Sequence, residues 1–422
     1  MKIDSAQLWK PWDRFPGPAL PVAVWALGGV SLLMDVSSEM IHALLPIYLV
    51  SVMGASMETI GVIEGGAEAI VSIVKALSGA LSDWFGRRKA LTVFGYGLSA
   101  ISKPAFPLAA SLGGVAAARF VDRIGKGVRG APRDALIADV APPMLRGASF
   151  GLRQSLDTVG AFLGPALAIG LMAATHGAFR AVFWVAVVPA LLAVALLIVA
   201  VEEPQASGAA KPARLPFNLA SLGRLGGAYW LVVIVAAMFS LARFSEAFLV
   251  LRVQSLGLPL AFAPLTLVTM NVFYALAAYP AGVLSDRFDR LTIATTGFFV
   301  LIAGDLTLAL AENVGWAAFG VALWGLHLGL TQGVLSALVA DAAPAEQRGA
   351  AFGVFNLVGG GATLFASLGA GALWDAMGPR AAFFGGALAC AAALVALALA
   401  ARVAPSLAAT LTAPPKPRPP EA

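Results

Sequence analysis

Long apolar runs recur along this chain with a regularity that leaves few folds open to it. They fall near residues 22–50, 59–82, 90–110, 114–139, 148–174, 181–200, 227–253, 261–285, 293–312, 315–340, 350–374 and 381–402. A hydrocarbon core about 30 Å thick takes about 20 mostly apolar residues per helix, so the pattern predicts twelve transmembrane helices. A closed barrel would instead show segments of about ten residues with alternating polarity, and these runs are longer and apolar on all sides. Composition agrees: 59% of residues are hydrophobic and 12% charged, where a soluble domain carries roughly a quarter charged. The expected fold class is an all-α membrane protein.

The placement of Lys and Arg sets the orientation. With the amino end inside, the inside ends and loops hold Lys2, Lys10, Arg14, Arg87, Arg88, Lys89, Arg146, Lys211, Arg214, Arg224, Arg287, Arg290, Arg348, Arg402, Lys416 and Arg418, against Arg180 and Arg380 outside. Both termini are expected in the cytoplasm, in a bacterial inner membrane. The formal net charge of +5 is then a topology signal and calls for no nucleic-acid partner. Residues 1–21 are polar and precede an apolar run too long for a signal-peptide core, so no cleavable targeting peptide is expected. The single cysteine, Cys390, falls within the last helix and allows neither an internal disulfide nor a cysteine cluster for metal.

Self-similarity divides the chain. `ALIADVAPPMLRGASFG` at 135–151 returns as `ALVADAAPAEQRGAAFG` at 337–353, and `GALSDWFGRR` at 79–88 returns as `AGVLSDRFDR` at 281–290. `SSE` ending at Glu39 is echoed by `FSE` ending at Glu246. The repeated stretches have the same predicted sidedness, so the halves are parallel repeats. The expected organisation is a cytoplasmic segment 1–21, a six-helix bundle 22–200, a cytoplasmic linker 201–226 rich in Pro, Ala and Gly, a second six-helix bundle 227–403 and a disordered cytoplasmic tail 404–422. The two bundles are expected to be pseudo-symmetric.

On these residues the chain resembles the major facilitator superfamily over nearly its whole length. Gly79, Asp83, Gly86, Arg87, Arg88 and Lys89 match that family's loop signature after the second helix, echoed by Asp286 and Arg290 in the second half. A carboxylate at one helix end facing an arginine cluster makes a charge-assisted latch, and the resemblance implies that it holds the outward-open state. Helix four, `ARFVDRIGKGVRGAPRDA`, is similar to the family's Arg-x-x-x-Gly-x-Gly pattern at Arg119, Gly125 and Gly127, with Arg123 where a glycine is usual. Its Arg129 and Arg133 read as interfacial anchors, and Arg119, deeper, as a functional ion-pair partner. Helix five carries Gly160, Gly164 and Pro165, a partial match to the family's antiporter signature in which Ala168 and Ile169 replace the final glycine pair. Such a motif allows close helix approach, and the resemblance points to export.

Charged groups inside the apolar runs are the candidates for function, because a charge facing lipid costs at least a few kcal/mol. At about 100° per residue, Asp35, Glu39 and His42 share one face of helix one; Glu64, Glu68 and Lys75 share a face of helix two. Helix seven supplies Arg243 and Glu246, helix five Arg153 and Asp157, helix three Lys103. A carboxylate that gains and loses a cationic neighbour in two states binds and releases a proton. The proton-coupling candidates are therefore Asp35, Glu39, Glu68 and Glu246, with Arg119 or Arg243 as partners; Glu64, expected nearest the outer surface, is the weakest carrier. His42, Phe244, Tyr274, His327 and Gln332 are candidates to line a substrate cavity, with Phe239, Phe248, Phe273, Tyr279 and Trp324 as further aromatic candidates. Asp35, Glu39, His42, Glu246 and His327 also suit a divalent metal as cargo, and no bound metal is assigned. The chain lacks a Gly-x-x-x-x-Gly-Lys-Ser/Thr nucleotide motif. No cofactor and no enzyme activity are expected. The reading is a secondary carrier using alternating access, exporting a small organic molecule in exchange for protons and working as a monomer in the bilayer. The alternatives are efflux of a divalent metal or its chelate, or a non-transporting sensor on a carrier fold.

Overall fold

The apolar runs do fold as helices, and three of the spans break along their length. A computed structural model describes residues 20–85, 87–141, 146–202, 225–285, 289–343 and 348–403. The first half comprises α1 (Val22–His42), α2 (Leu45–Ser51), α3 (Met57–Phe85), α4 (Arg88–Ser102), α5 (Ala105–Leu108), α6 (Leu112–Val140), α7 (Arg146–Ala174) and α8 (Phe179–Ala200). The second comprises α9 (Gly227–Ala242), α10 (Ala247–Ser255), a 3-10 turn (Leu260–Phe262), α11 (Leu265–Ser285), α12 (Arg290–Leu310), α13 (Val314–Ala342), α14 (Arg348–Met377) and α15 (Pro379–Val403). No strand occurs among the described residues. The pairs α1–α2, α4–α5 and α9–α10 each make one crossing, which is consistent with twelve passes. Among the described residues, nine are long and apolar enough to span a membrane by length and composition. The other three, α3, α4–α5 and α6, are the ones that carry Glu64, Glu68, Lys103, Arg119, Asp122 and Arg123.

Three spans expected to be continuous are interrupted. Helix one breaks at Ala43 and Leu44, with Pro46 in the first turn of α2. Helix three breaks at Lys103 and Pro104, where the proline lacks the N–H that would continue the ladder. Helix seven unwinds over 243–246, with Arg243 extended. Ser245 fixes this turn: its N–H donates to Ser367 Oγ on α14 (3.0 Å), and its Oγ accepts from Ala247 N–H (3.2 Å).

The halves meet most closely along α3 and α14, where glycines let the backbones touch. A side chain at Gly61 would run into the Ser367 carbonyl, one at Gly65 would lie 2.9 Å from Ser367 Cβ, and one at Gly371 would meet the backbone of Met57 and Glu58. Asp375 closes this seam, accepting from the backbone N–H of Met57 (3.0 Å) and Glu58 (2.8 Å) at the first turn of α3. The molecule is therefore sealed at the end opposite Val22 and Val403. Residues 1–19, 203–224 and 404–422, which hold most of the expected terminal segments and linker, lie outside the described residues.

Candidate functional site: a charged cavity between the halves

A cavity of about 530 Å³ lies between the two halves. The first half contributes Glu39 and His42 from α1, Glu64 and Glu68 from α3, and Arg123 and Lys126 from α6. The second contributes Phe239, Arg243, Phe244, Ser245 and Glu246 from the broken span, Asn271 from α11, Trp324, His327 and Gln332 from α13, and Asn356 from α14. A second cavity of about 290 Å³ shares Glu39, Lys126 and Asn271 with the first. Asp35, Lys75, Arg129, Arg133, Asp157 and Tyr274 also line it. Asp35 precedes Glu39 and His42 along α1, so this second cavity lies toward the end where the chain's termini lie.

Arg119 is the centre of the deepest charge group. Its guanidinium donates to Glu64 Oε2 at 2.5 Å and to His42 Nδ1 at 2.7 Å, and His42 Nδ1 lies 3.9 Å from the same Glu64 oxygen. Arginine has donors only, so Nδ1 of His42 is the acceptor and the ring is neutral with its proton on Nε2. Glu64 is 1% exposed. It is the carboxylate that Arg119 holds, where the Arg119 turn of α6 packs against the first turns of α3. His327 is oriented the other way, with Nδ1 2.9 Å from the Gly297 carbonyl, which fixes Nδ1 as the donor.

A second group joins α1, α4, α6 and α3. Lys103, at the break of the third span, donates to Asp122 Oδ1 (2.8 Å) and Ser38 Oγ (2.9 Å). Arg123 reaches Asp122 (3.3 Å) and Glu68 (3.8 Å). Arg129, expected as an interfacial anchor, is 4% exposed. It donates to Ser99 Oγ (2.9 Å), stacks on the Tyr96 ring (4.6 Å to the centroid) and lies 3.9 Å from Asp35. Arg133 likewise turns inward, to Asp134 (3.1 Å) and Ser31 (3.1 Å), and Arg153 pairs with Asp157 (2.5 Å). These pairs satisfy charges that would otherwise be stranded in the bundle.

Of the residues expected to line a cavity, His42, Phe244, His327 and Gln332 line the larger one and Tyr274 the smaller. Phe239 and Trp324 also line the larger. Phe248 instead packs on Phe244 and Trp374, and Phe273 is exposed; the Tyr279 side chain lies outside the described residues. Asp305 on α12 was not singled out in the sequence. It is fully buried, and its Oδ1 accepts from the Trp324 indole N–H at 2.8 Å. One acid in `GDLTLAL` has no charged neighbour in sequence to mark it. Among the described residues no three of His, Cys, Asp and Glu are grouped to hold a metal ion.

The glycines of helix five meet α1 at its acidic turns. A Cβ on Gly160 would lie 3.0 Å from Asp35 Cβ, and one on Gly164 would lie 2.7 Å from Glu39 Cβ. Pro165 follows within α7. Of the expected latch, Gly86 and Asp286 and the side-chain positions of Gly79 and Asp83 lie outside the described residues. Arg87 is exposed, Arg88 pairs with Asp139 at the end of α6, and Arg290 opens α12.

A bundle of membrane-crossing helices in two halves, with a polar cavity on the interface and one end sealed, defines a membrane carrier. The sequence profile of the Major Facilitator Superfamily matches residues 27–271 and 232–421, and the chain belongs to this family of transporters. It is 33% identical over 359 residues to an uncharacterized MFS-type transporter of Methanocaldococcus jannaschii, covering 83% of this chain and 88% of that one. It is 29% identical over 344 residues to an uncharacterized protein of Mycobacterium tuberculosis, covering 81% and 83%. Solved structures share the fold at low identity. A nucleoside transporter superposes with a TM-score of 0.76 at 10% identity (89% of this chain, 99% of that chain). A bacterial homologue of the human lysosomal transporter Spinster, inward-facing and occupied, gives 0.70 at 16% (92% and 96%).

Proposed function

We propose that this transporter exports a small polar organic solute by exchange with protons, through alternating access around the larger cavity, with both termini in the cytoplasm of a bacterial cell. The observation that carries the reading is that titratable side chains from both halves, Glu39 and Glu68 from one and Glu246 from the other, line one cavity that is sealed at the end away from the termini. In this orientation the cavity faces the cytoplasm, ready to load. Export is supported by the Gly160, Gly164 and Pro165 motif, whose two glycines pack on the turns carrying Asp35 and Glu39. The abundance of charge around the cavity favours a polar cargo over a lipophilic one.

The test is solute-dependent proton movement in proteoliposomes containing a pH-sensitive dye, with the protein inserted in both orientations and one population silenced from outside. Proton entry coupled to solute exit is expected. Asp35→Asn should retain solute counterflow and lose flux driven by a pH gradient, and Glu39→Gln should likewise lose the pH-driven flux. Uphill transport by both neutral variants would remove the acids of α1 from coupling.

A further inference from the structure

The charges of the larger cavity divide into those that are spent and those that are not. Glu64 is held by Arg119, and Arg123 is engaged by Asp122 and Glu68. Four others line the cavity with no side-chain hydrogen bond or ion pair among the described residues: Glu39, Lys126, Arg243 and Glu246. Each half supplies one free acid and one free base. Arg243 and Glu246 sit in the unwound turn between α9 and α10, where side chains leave a backbone that is pinned to α14 through Ser367. That turn is thus a built feature of the wall.

A solute bearing one charge would answer one sign and leave the opposite pair without a partner when the halves close and water leaves, which is costly for buried ions. A solute bearing both signs answers a carboxylate and a cation at once, and can bridge the two halves. The planar guanidinium of Arg243 suits a carboxylate or phosphate oxygen pair, and the carboxylates of Glu39 and Glu246 suit an ammonium group. The cavity volume falls in the range of small-molecule sites, about 300–1,000 Å³. We infer that the cargo is a small zwitterion, an organic molecule with an ammonium group and a carboxylate or phosphate group, held across the interface by Arg243 and Glu246 of the second half and Glu39 of the first. This inference rests on the reading of the larger cavity as the transport site.

The test begins with binding to the purified full-length protein, followed by thermal stabilisation. The probes are straight-chain ω-amino acids of increasing length with the monoamines, monocarboxylates, diamines and dicarboxylates of the same lengths, together with α-amino acids and aminoalkyl phosphates. Zwitterions are expected to stabilise the protein, and a probe of matched length lacking either charge should bind about ten- to a hundredfold more weakly. Arg243→Gln and Glu246→Gln should each lose a similar factor for the zwitterion, with Arg243→Lys recovering part of it. Binding by singly charged probes equal to that of zwitterions overturns the inference, as does binding by no probe of any class. Well-folded Arg243→Gln that binds the zwitterion normally overturns the assignment of Arg243. Bound probes are then tested for proton-linked flux. Monoamines that bind and move protons would refute the zwitterion and leave the transport reading standing, whereas zwitterions that bind without any flux would refute the transport reading alone.

Discussion

Arg119 on α6 and Glu64 on α3 lie 2.5 Å apart, each with about 1% of its side chain exposed. A buried pair of this kind contributes little net stability relative to two apolar side chains, yet removing one member strands the other charge, at a cost of about 3–5 kcal/mol. Arg119→Met is therefore expected to lower the melting temperature in detergent sharply. Arg119→Met with Glu64→Met should recover most of that loss. Both variants should transport poorly, since His42 loses the donor that fixes its ring. A single Arg119→Met protein as stable as wild type would show that Glu64 has another route to neutralisation.

That pair also marks where sequence reading stops. Apolar length placed every span to within a few residues, because hydrocarbon thickness is a constraint that each helix meets by itself. Helical periodicity put Asp35, Glu39 and His42 on one face, and all three do face the cavities. Periodicity reports azimuth on one helix and carries no information about the helix opposite, so it left Arg119 without a named partner. The breaks at 43–44 and 243–246 were illegible for a related reason. Their residues continue the apolar or polar pattern of the run, and the unwinding is stabilised by contacts from distant sequence, such as Ser367 on Ser245.

Gly164 tests the close approach of α7 to α1. An added Cβ would sit 2.7 Å from Glu39 Cβ and 2.8 Å from the Val36 carbonyl, both fixed by backbone, whereas one at Gly170 meets nothing within 4 Å. Gly164→Ala should destabilise by about 1–3 kcal/mol through overpacking. Gly170→Ala should be neutral or gain about 0.5–1 kcal/mol from helix propensity. Thermal unfolding of the two variants in one detergent gives the comparison, and equal melting temperatures would mean that α1 and α7 can part without cost.

Trp324 lines the cavity while its indole N–H is anchored on the buried Asp305. Asp305→Asn keeps an oxygen acceptor there and should preserve the ring position. Asp305→Leu leaves a buried donor unsatisfied, worth about 1–3 kcal/mol, and frees Trp324 to rotate. Solute binding should weaken severalfold in the Leu variant and little in the Asn variant; identical binding in both would show that the ring is held by Phe244 and its other neighbours alone.

Asp375 caps α3 from the opposite half, its two oxygens taking the N–H groups of Met57 and Glu58. Those are orphan donors of a helix start, and a carboxylate there also meets the positive end of the helix dipole. Ser56, just before the helix, also caps it by accepting from Thr59 N–H (3.2 Å), and a cap of that sort stays through any rigid motion. A cap supplied across the interface exists only while the two halves touch. Losing it therefore shifts the conformational equilibrium, by about 0.5–2 kcal/mol on the scale of N-caps, which is about two- to thirtyfold in the ratio of closed to open molecules. Asp375→Ala should open this end more often, and Asp375→Asn, which retains an acceptor, less so. Spin labels at Val52→Cys and Met377→Cys, both exposed positions at the sealed end, report the opening directly once Cys390, the single native cysteine, is replaced by alanine. The Ala variant is expected to gain a population at longer distance, larger than in the Asn variant and absent or minor in the parent. An unchanged distance distribution in the Ala variant would assign the seal to the glycine contacts at Gly61, Gly65 and Gly371 and leave Asp375 as a bystander.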